Sequence, residues 1–456
     1  MPMAPLSGQQ WTVPRVFEDA PQIALMAAAA ATGTAALAVW TVCRSRAEGD
    51  KKKKTVVIVG AGVAGIEAAG WLQHDYEVKI VDPKQFHEFA PGMHRVLAAQ
   101  APQQSAAVSL VEERRSRHCE IVTGECSAVT VGASCTITVK LSGGGTASTR
   151  MLECDYLLLA TGGNYDPPIR AGGGPSNAGA AAGMTLAVRA GELVSYRRQL
   201  EAASDSAAAG EGVALVVGGG VVGVEMASEL ACAFPQLPFT LVTGSQGLLH
   251  GFTPWQQRYA LRRLQSCGVT IVERERCSAM RQDEMPAAEA GGRPLYVTSE
   301  TNKVLRPHVV LMCTGPKPSN QFLTGSSIVL NERGYISADE GTLQVHTAAL
   351  SSEPGDHGAH AVANNVFVVG DLRHKPPEQR LASCAHTEGA FVARQLVRLD
   401  GGHPLQTYKP RTAAVAVSLG PYDGFFSCGG WTLMVGPLIP VIKCVVARLW
   451  MAGWLP

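Results

Sequence analysis

Three glycines and an aspartate near the start of the chain have the residue types and spacing needed to hold a dinucleotide. Gly60, Gly62 and Gly65 follow the β-branched run Thr55–Val59, and Asp82 ends the next β-rich run. In a strand–turn–helix unit the first glycine permits a tight turn, the second lets the backbone approach a pyrophosphate, and the third lets helix and strand pack closely. The pyrophosphate would lie at the helix N-terminus, and Asp82 would bind a ribose hydroxyl.

The same spacing occurs again at Gly218, Gly220 and Gly223, after the apolar run 213–217. The strand that follows, 239–243, leads into Thr-Gly-Ser where an acid would hold the ribose of NAD. A carboxylate at this point repels a 2′-phosphate, so its absence permits NADPH, while the lack of an arginine adjacent in sequence leaves NADH open. The chain therefore holds two dinucleotides, or one dinucleotide and a pseudo-repeat.

Further polar residues at the ends of strands and helices are candidates for cofactor contacts. Thr161 and Gly162 end a buried leucine-rich run, and Gly370-Asp371 ends the run VFVV. Asp371 would accept a hydroxyl of a flavin ribityl chain, or cap a helix. Glu225 lies in the first turn of the second helix, where it either balances the helix dipole or helps to orient a nicotinamide.

These motifs require an α/β architecture, and 456 residues suggest about two to three domains. Hydrophobic residues make up 46% of the chain, enough for sizeable cores, and the net charge of +1 gives no reason to expect a nucleic-acid partner. The 12 cysteines have neither a C-x-x-C pair nor a metal-ligand spacing, so we predict no metal site. The stretch 83–89 lacks a redox-active cysteine pair, which argues against disulfide-reductase chemistry.

The N-terminal segment 23–43 carries no charge and is long enough, as a helix, to cross a bilayer. Basic residues follow it in 44–54, so the positive-inside rule keeps the catalytic body in the cytosol. We therefore predict a tail at 1–22, a transmembrane anchor at 23–43 and a basic linker at 44–54; a buried core helix is the alternative for 23–43. The segment resembles the signal anchors of the mitochondrial outer membrane, the predicted location, with another intracellular membrane as the alternative.

The two glycine motifs, Ala-Thr-Gly at 160–162, CTGPKP at 313–318 and VFVVGD at 366–371 together resemble the two-dinucleotide-binding-domain flavoproteins. Within them, the segments 218–230, 241–249, 404–410 and 418–424 are similar to the ferroptosis-suppressor and apoptosis-inducing-factor-homologous group, relatives of the type II NADH dehydrogenases.

The resemblance implies a glutathione-reductase-like fold with two Rossmann-type domains. An FAD-binding domain would comprise 55–185 and 318–405, an NAD(P)H-binding domain 186–317, and a quinone-side or membrane-contacting segment 406–456. The tail from Trp431 onward is apolar and aromatic, so it either packs into the core or contacts the membrane interface.

Individual site residues are also implied by the resemblance. Glu225 matches an acid that matters for activity on the nicotinamide side, and His386 matches a histidine between flavin and quinone; both are candidate catalytic residues. Ser383 and Thr387 replace glutamines of the type II dehydrogenases, so quinone contacts are not carried over there. Flavin-contacting positions are Gly60, Gly62, Gly65, Asp82, Thr161, Gly162 and Asp371, and the nicotinamide-side glycines are Gly218, Gly220 and Gly223.

The predicted function is transfer of a hydride from NAD(P)H to FAD and of two electrons onward to a quinone. The predicted partners are a quinone or another small-molecule acceptor and membrane lipid, and a homodimer is left open. One alternative is a redox-sensing protein of the apoptosis-inducing-factor type, in which nicotinamide binding controls partner interactions. Another is an iron–sulfur protein as acceptor.

Overall fold

The computed structural model describes most of the chain between residues 53 and 451. The described residues are 53–99, 110–111, 118–142, 148–170, 184–208, 210, 212–280, 294–348, 360–376, 380–410, 412 and 414–451, with backbone alone at 110–111 and 449–451. The predicted tail, anchor and most of the basic linker lie outside this part. Among the described helices, none has both the length and the apolar character needed to span a bilayer.

The first glycine unit is part of an eight-stranded sheet. Five strands in its centre run parallel, as the valine-rich runs predict, and antiparallel strands flank them. From edge to edge the strands are β18 (Gln344–Ala348), β19 (His360–Val368), β8 (Tyr156–Leu159), β1 (Thr55–Val59), β2 (Glu77–Asp82), β5 (Glu120–Thr130), β6 (Cys135–Leu141) and β7 (Thr149–Cys154).

The second glycine unit lies on its own parallel sheet of four strands. All four lie between residues 214 and 312. The strands of the first sheet lie before this stretch, at 55–159, and after it, at 344–368. In sheet order they are β12 (Thr270–Val272), β11 (Phe239–Val242), β10 (Ala214–Val217) and β16 (Val309–Met312). A small antiparallel sheet follows β12, formed by β13 (Cys277–Ala279), β14 (Tyr296–Thr298) and β15 (Val304–Leu305).

Three smaller sheets complete the strand inventory of the described residues. Two are short antiparallel pairs of strands distant in sequence, β3 (His87–Glu88) with β4 (Leu110–Val111), and β9 (Gly163–Asn164) with β17 (Lys317–Pro318). The third is an antiparallel sheet of β20 (Ala414–Ser418), β21 (Gly424–Cys428) and β22 (Trp431–Val435). The pair β9–β17 joins the segment that follows β8 of the first sheet to the segment that follows β16 of the second sheet.

The helices cover the sheets and present small residues where they meet. A Cβ placed on Gly389 would lie 2.3 Å from the carbonyl oxygen of Ala64, so the two helices that hold these residues cross in close contact. The helices are α1 (Val63–Leu72), α2 (Met93–Ala98), α3 (Leu186–Ala208), α4 (Val221–Ala233), α5 (Pro254–Ser266), α6 (Ala382–Asp400) and α7 (Leu438–Met451). Short 3-10 turns lie at Ala90–Gly92, Gln321–Leu323 and Gly370–Leu372.

The C-terminal sheet and α7 expose an apolar surface, here called the C-terminal apolar face. Strand β22 alternates, as a half-buried strand does, but its exposed side chains are apolar, with Trp431 77% and Leu433 59% accessible. Scattered exposed apolar residues are ordinary, but a contiguous set is not. The exposed members of the face are Trp431, Leu433, Val435, Leu438, Val441, Ile442, Val445 and Val446.

Candidate functional site

The first glycine loop has the shape that a pyrophosphate site needs. Gly60 has φ +109°, and a Cβ there would lie 2.5 Å from the carbonyl oxygen of Ala160. A Cβ on Gly65 would lie 2.0 Å from the carbonyl oxygen of Gly60, so both positions require glycine. A Cβ on Gly62 would make only ordinary contacts, 3.8 Å from Arg170 Nη2 and 3.9 Å from the carbonyl oxygen of Ala160, and Gly62 precedes α1 without a side-chain cap. The first N–H groups of the helix are therefore available to an anion.

Asp82 lies at the end of β2 and is buried. Its Oδ2 accepts a hydrogen bond from the N–H of Ala61 at 2.7 Å, and its Oδ1 accepts one from the N–H of Lys84 at 2.9 Å. The carboxylate therefore fixes the glycine loop to the end of β2, at the predicted position of a ribose.

Thr161 and Gly162 lie where the chain leaves the first sheet. The Thr161 hydroxyl donates to the carbonyl oxygen of Ser319 at 2.8 Å, and the Ser319 N–H donates to the carbonyl oxygen of Gly162 at 3.1 Å. Gly162 has φ +66°, in the left-handed region. Thr161 and Gly162 therefore join the segment that leaves the first sheet to the segment at Ser319, where the chain returns from the second sheet. The sequence did not indicate this role.

Asp371 and its neighbours form a buried charged cluster beside the first loop. Glu388 on α6 accepts hydrogen bonds from the Gly370 N–H at 2.6 Å and from Arg373 Nη2 at 2.9 Å. Lys375 Nζ lies 3.5 Å from Glu388 Oε1 and 3.4 Å from Asp371 Oδ1. Asp371 Oδ1 is buried and has no hydrogen-bond partner in the described part of the chain. A buried acceptor of this kind fits a ligand hydroxyl, such as that of a ribityl chain.

His386, the second predicted catalytic residue, lies on the same helix as Glu388. Its Nδ1 is 3.1 Å from Glu67 Oε2 on α1, and its side chain is 27% exposed. Glu67 also accepts a hydrogen bond from Trp71 Nε1 at 2.8 Å. The structure therefore places His386 at the contact between α1 and α6.

The second glycine loop repeats the geometry of the first. Gly218 has φ +119°, and a Cβ there would lie 2.3 Å from the carbonyl oxygen of Cys313. A Cβ on Gly223 would lie 1.9 Å from the carbonyl oxygen of Gly218. Gly220 has no atom within 4 Å of its Cβ position and begins α4 without a side-chain cap. This loop is the second candidate pyrophosphate site.

A cavity of about 480 Å³ adjoins the second loop. The second glycine loop and the C-terminal sheet border it, together with Tyr165, Arg380 and Leu381, whereas no residue of the first glycine loop lines it. Its walls include the loop segments 218–222, 249–252 and 313–316, together with Tyr165, Arg380, Leu381, Val415, Ser427 and Gly430.

Glu225 is not among the residues that line this cavity and contacts the C-terminal segment. Its Oε1 accepts hydrogen bonds from the Ser418 N–H at 2.8 Å and the Ser418 hydroxyl at 3.1 Å, and it forms an ion pair with Lys443 on α7. His94 Nδ1 on α2 lies 4.0 Å from Glu225 Oε2. Burial, assisted by Lys443 and Arg95, holds the pKa of His94 well below its ordinary value, so the imidazole is neutral.

The next turn of α4 extends this buried cluster. Glu229 Oε1 lies 3.4 Å from Arg95 Nε and 3.9 Å from His94 Nε2. Burial raises the pKa of Glu229. The sequence indicated Glu225 alone, because its partners come from α2, β20 and α7, far apart along the chain.

A chain that builds two such loops, one on the parallel centre of a mixed sheet and one on a parallel sheet, has places for two dinucleotides, each at a helix N-terminus. This is the architecture of the flavoprotein oxidoreductases with two dinucleotide-binding domains, in which a nicotinamide coenzyme reduces FAD.

Comparison with known proteins narrows this class. Residues 54–389 match the family described as pyridine nucleotide-disulphide oxidoreductase, and the chain belongs to that family. It is 26% identical over 382 residues to ferroptosis suppressor protein 1 of Homo sapiens, covering 82% of this chain and 89% of that one. It is 23% identical over 391 residues to apoptosis-inducing factor homolog A of Dictyostelium discoideum, covering 82% and 85%.

Solved structures show the same fold at low identity. NDH2 from Plasmodium falciparum in complex with NADH aligns with a TM-score of 0.63 at 13% identity, covering 88% of this chain and 97% of that one. The sulfide:quinone oxidoreductase from Aquifex aeolicus aligns with a TM-score of 0.64 at 15% identity, covering 88% and 91%. The predicted class, an FAD-dependent oxidoreductase that uses NAD(P)H, is confirmed. The site residues stay predictions.

Proposed function

We propose that the protein is a membrane-associated NAD(P)H:quinone oxidoreductase, passing a hydride from NAD(P)H to FAD and two electrons on to a ubiquinone-like quinone. The observation that carries the proposal is the cavity at the second glycine loop, because the C-terminal sheet borders it, as do Tyr165, Arg380 and Leu381 from the segments predicted to bind FAD. Two of the structural neighbours support the choice of acceptor: one is called a sulfide:quinone oxidoreductase and the other an NDH2.

The residues of the first unit fit FAD. Gly60 and Gly65 shape the turn, the N-terminus of α1 at Gly62 has no side-chain cap and would face a pyrophosphate, and Asp82 lies where a ribose is expected. Asp371 offers a buried acceptor without a hydrogen-bond partner among the described residues. FAD supplies the two-electron redox chemistry when bound, and the protein supplies position and electrostatics.

Glu225 and His386 are the proposed active-site residues of the chain. Glu225 would act on the coenzyme through the N-terminus of α4, since its contacts to Ser418 and Lys443 fix that helix against the C-terminal segment. His386, held beside Glu67, would act on the acceptor side of the flavin.

The C-terminal apolar face supports access to a lipid-soluble acceptor. Gly430 lines the cavity, and the next residue, Trp431, is the most exposed member of the face. A quinone dissolved in a bilayer would reach the site most directly if this face were seated on the lipid. The segment 23–43, outside the described residues, would add an anchor, with the mitochondrial outer membrane as the proposed location.

The test of the reaction is steady-state kinetics of the FAD-loaded protein with NADPH or NADH and a soluble ubiquinone analogue. We expect quinone reduction that depends on bound flavin. A rate no faster than that of flavin-free protein would disprove the proposed reaction.

The test of membrane association compares binding to phosphatidylcholine vesicles. The double variant Leu433→Gln/Val441→Gln is expected to bind less, whereas Met151→Gln, an equally conservative change at an exposed residue of β7, is expected to bind as the unmodified chain does. Comparison with a version beginning at Lys51 measures the contribution of the anchor. Equal binding by all four proteins would contradict the roles proposed for the face and the anchor, and no binding by the unmodified chain would contradict membrane association.

A further inference from the structure

The hydrogen bonds of the two glycine loops establish which residue of the second unit corresponds to Asp82. The Gly60 N–H donates to the carbonyl oxygen of Val81 at 2.8 Å, and the Gly218 N–H donates to that of Val242, also at 2.8 Å. The next residue is Asp82 in the first unit and Thr243 in the second. The position that would hold a coenzyme ribose through a carboxylate therefore carries a neutral hydroxyl.

Thr243 also lies against the loop in the same way as Asp82 does. Asp82 contacts Ala61, the second residue of the first loop, and a Cβ on the corresponding Gly219 would lie 2.6 Å from Thr243 Oγ1. Thr243 is buried, and its Oγ1 lies 3.0 Å from the Oγ of Ser245. The turn after β11 therefore presents hydroxyl groups and no negative charge of its own.

A cationic side chain reaches this turn from the neighbouring strand. The segment after β12 runs beside the turn, with the Arg274 N–H donating to the carbonyl oxygen of Ser245 at 3.2 Å and the Glu275 N–H to that of Thr243 at 3.0 Å. Arg276 follows, and a Cβ placed on Gly244 would lie 3.3 Å from its Cγ and 3.9 Å from its Nε. The exposed guanidinium group is thus beside the turn.

Glu275, the residue before Arg276, directs its carboxylate toward another turn. The carboxylate of Glu275 accepts hydrogen bonds from the N–H groups of Glu300 at 2.8 Å and Thr301 at 3.0 Å. Its charge is therefore engaged by the turn between β14 and β15. The guanidinium group of Arg276 therefore provides a positive charge beside Gly244, in the turn after β11.

We propose that Arg276, with the hydroxyls of Thr243 and Ser245, binds the 2′-phosphate of NADPH and makes NADPH the preferred coenzyme. A guanidinium group matches phosphate geometry with paired N–H donors, and hydroxyls add neutral donors. NADH has a ribose hydroxyl at this position, which the site has no carboxylate to bind. The inference rests on the proposed function, in which the second glycine unit holds the nicotinamide coenzyme.

The first test measures binding without turnover. Calorimetry of the FAD-loaded protein with 2′,5′-ADP and with 5′-AMP isolates the contribution of the 2′-phosphate. We expect 2′,5′-ADP to bind at least tenfold more tightly, and the variant Arg276→Gln to lose that difference. Equal binding of the two nucleotides by the unmodified protein would overturn the proposal.

The second test measures kcat/KM for NADPH and NADH with a soluble ubiquinone analogue. Arg276→Gln is expected to lower the value for NADPH by roughly 10- to 100-fold, as loss of a charge-assisted contact does, and to leave NADH unchanged. Arg333→Gln, an exposed arginine on a turn packed with the first sheet, is the matched control and should change neither. An equal loss with both coenzymes would overturn the assignment.

The two proposals fail in different ways. If neither coenzyme reduces the quinone, the proposed reaction is wrong, while the calorimetry still decides the phosphate site. If NADH and NADPH serve equally and 2′,5′-ADP binds no better than 5′-AMP, the phosphate site is wrong and the reaction stands. The flavin absorbance of each variant confirms that the protein is folded.

Discussion

Replacement of Lys443 by methionine is expected to lower the free energy of unfolding by about 3 kcal/mol. Lys443 and Glu225 form an ion pair whose side chains are 14% and 4% exposed. Breaking a buried pair costs about 3–5 kcal/mol, because the remaining charge stays buried and unpaired. In the variant, the two hydrogen bonds from Ser418 still reach the Glu225 carboxylate, which places the expected loss at the lower end of that range.

A double-mutant cycle with Lys443→Met, Glu225→Gln and the combined variant tests this reasoning. Urea unfolding of the FAD-loaded protein, followed by tryptophan fluorescence, should give a coupling free energy of at least about 1 kcal/mol. Arg448→Met, at an exposed position on the same helix, should change stability by less than about 0.5 kcal/mol. The reasoning is refuted if the single changes are additive, or if Lys443→Met costs no more than the control.

Three further outcomes follow from the structure. Gly389→Ala places a Cβ 2.3 Å from the carbonyl oxygen of Ala64, so it should cost about 1–3 kcal/mol and lower the ratio of flavin to protein measured by absorbance. Burial and two nearby cations hold the pKa of His94 below 6.5 in the folded protein, so the unfolded chain binds a proton that the folded one excludes. Stability to urea should therefore fall as the pH drops from 7.5 to 5.5, and His94→Gln should flatten that dependence. The hydrogen bond between Cys232 and Cys267, whose Sγ atoms are 3.6 Å apart, lowers the pKa of Cys267, so iodoacetamide at pH 7 should label Cys267 first; mass spectrometry showing another described thiol ahead of it would contradict this.

The two glycine units were predictable because all their information is local. The glycines of each loop, the strand before them and the helix after them lie within about thirty residues, the length of one βαβ unit. The spacing predicts that Gly65 and Gly223 let helix and strand pack closely, and in the structure a Cβ on either would clash with the carbonyl oxygen of the first glycine of its loop.

The surroundings of the site were not predictable, because they depend on residues distant in sequence. No arginine is adjacent to Ser245 along the chain, yet the parallel pairing of β11 and β12 brings Arg276 beside it. The sequence places Glu225 in the first turn of its helix, to balance the helix dipole or to orient a nicotinamide, but α4 begins at Val221 and has no acid in its first turn. Its partner Lys443 comes from the last described helix. A single sequence carries no signal for such pairings.

If the C-terminal apolar face binds a bilayer, as proposed, it determines which concentration of the acceptor sets the rate. With the face seated on a bilayer, the enzyme would meet a lipid-dissolved quinone in two dimensions, so its rate would follow the mole fraction of quinone in the lipid rather than its molarity in the buffer. Adding inert lipid would then slow turnover at constant total quinone, whereas NADPH, which arrives from water, would keep its ordinary dependence on bulk concentration. The rate would then depend on two concentrations measured in different phases, that of the quinone in the lipid and that of the coenzyme in the buffer.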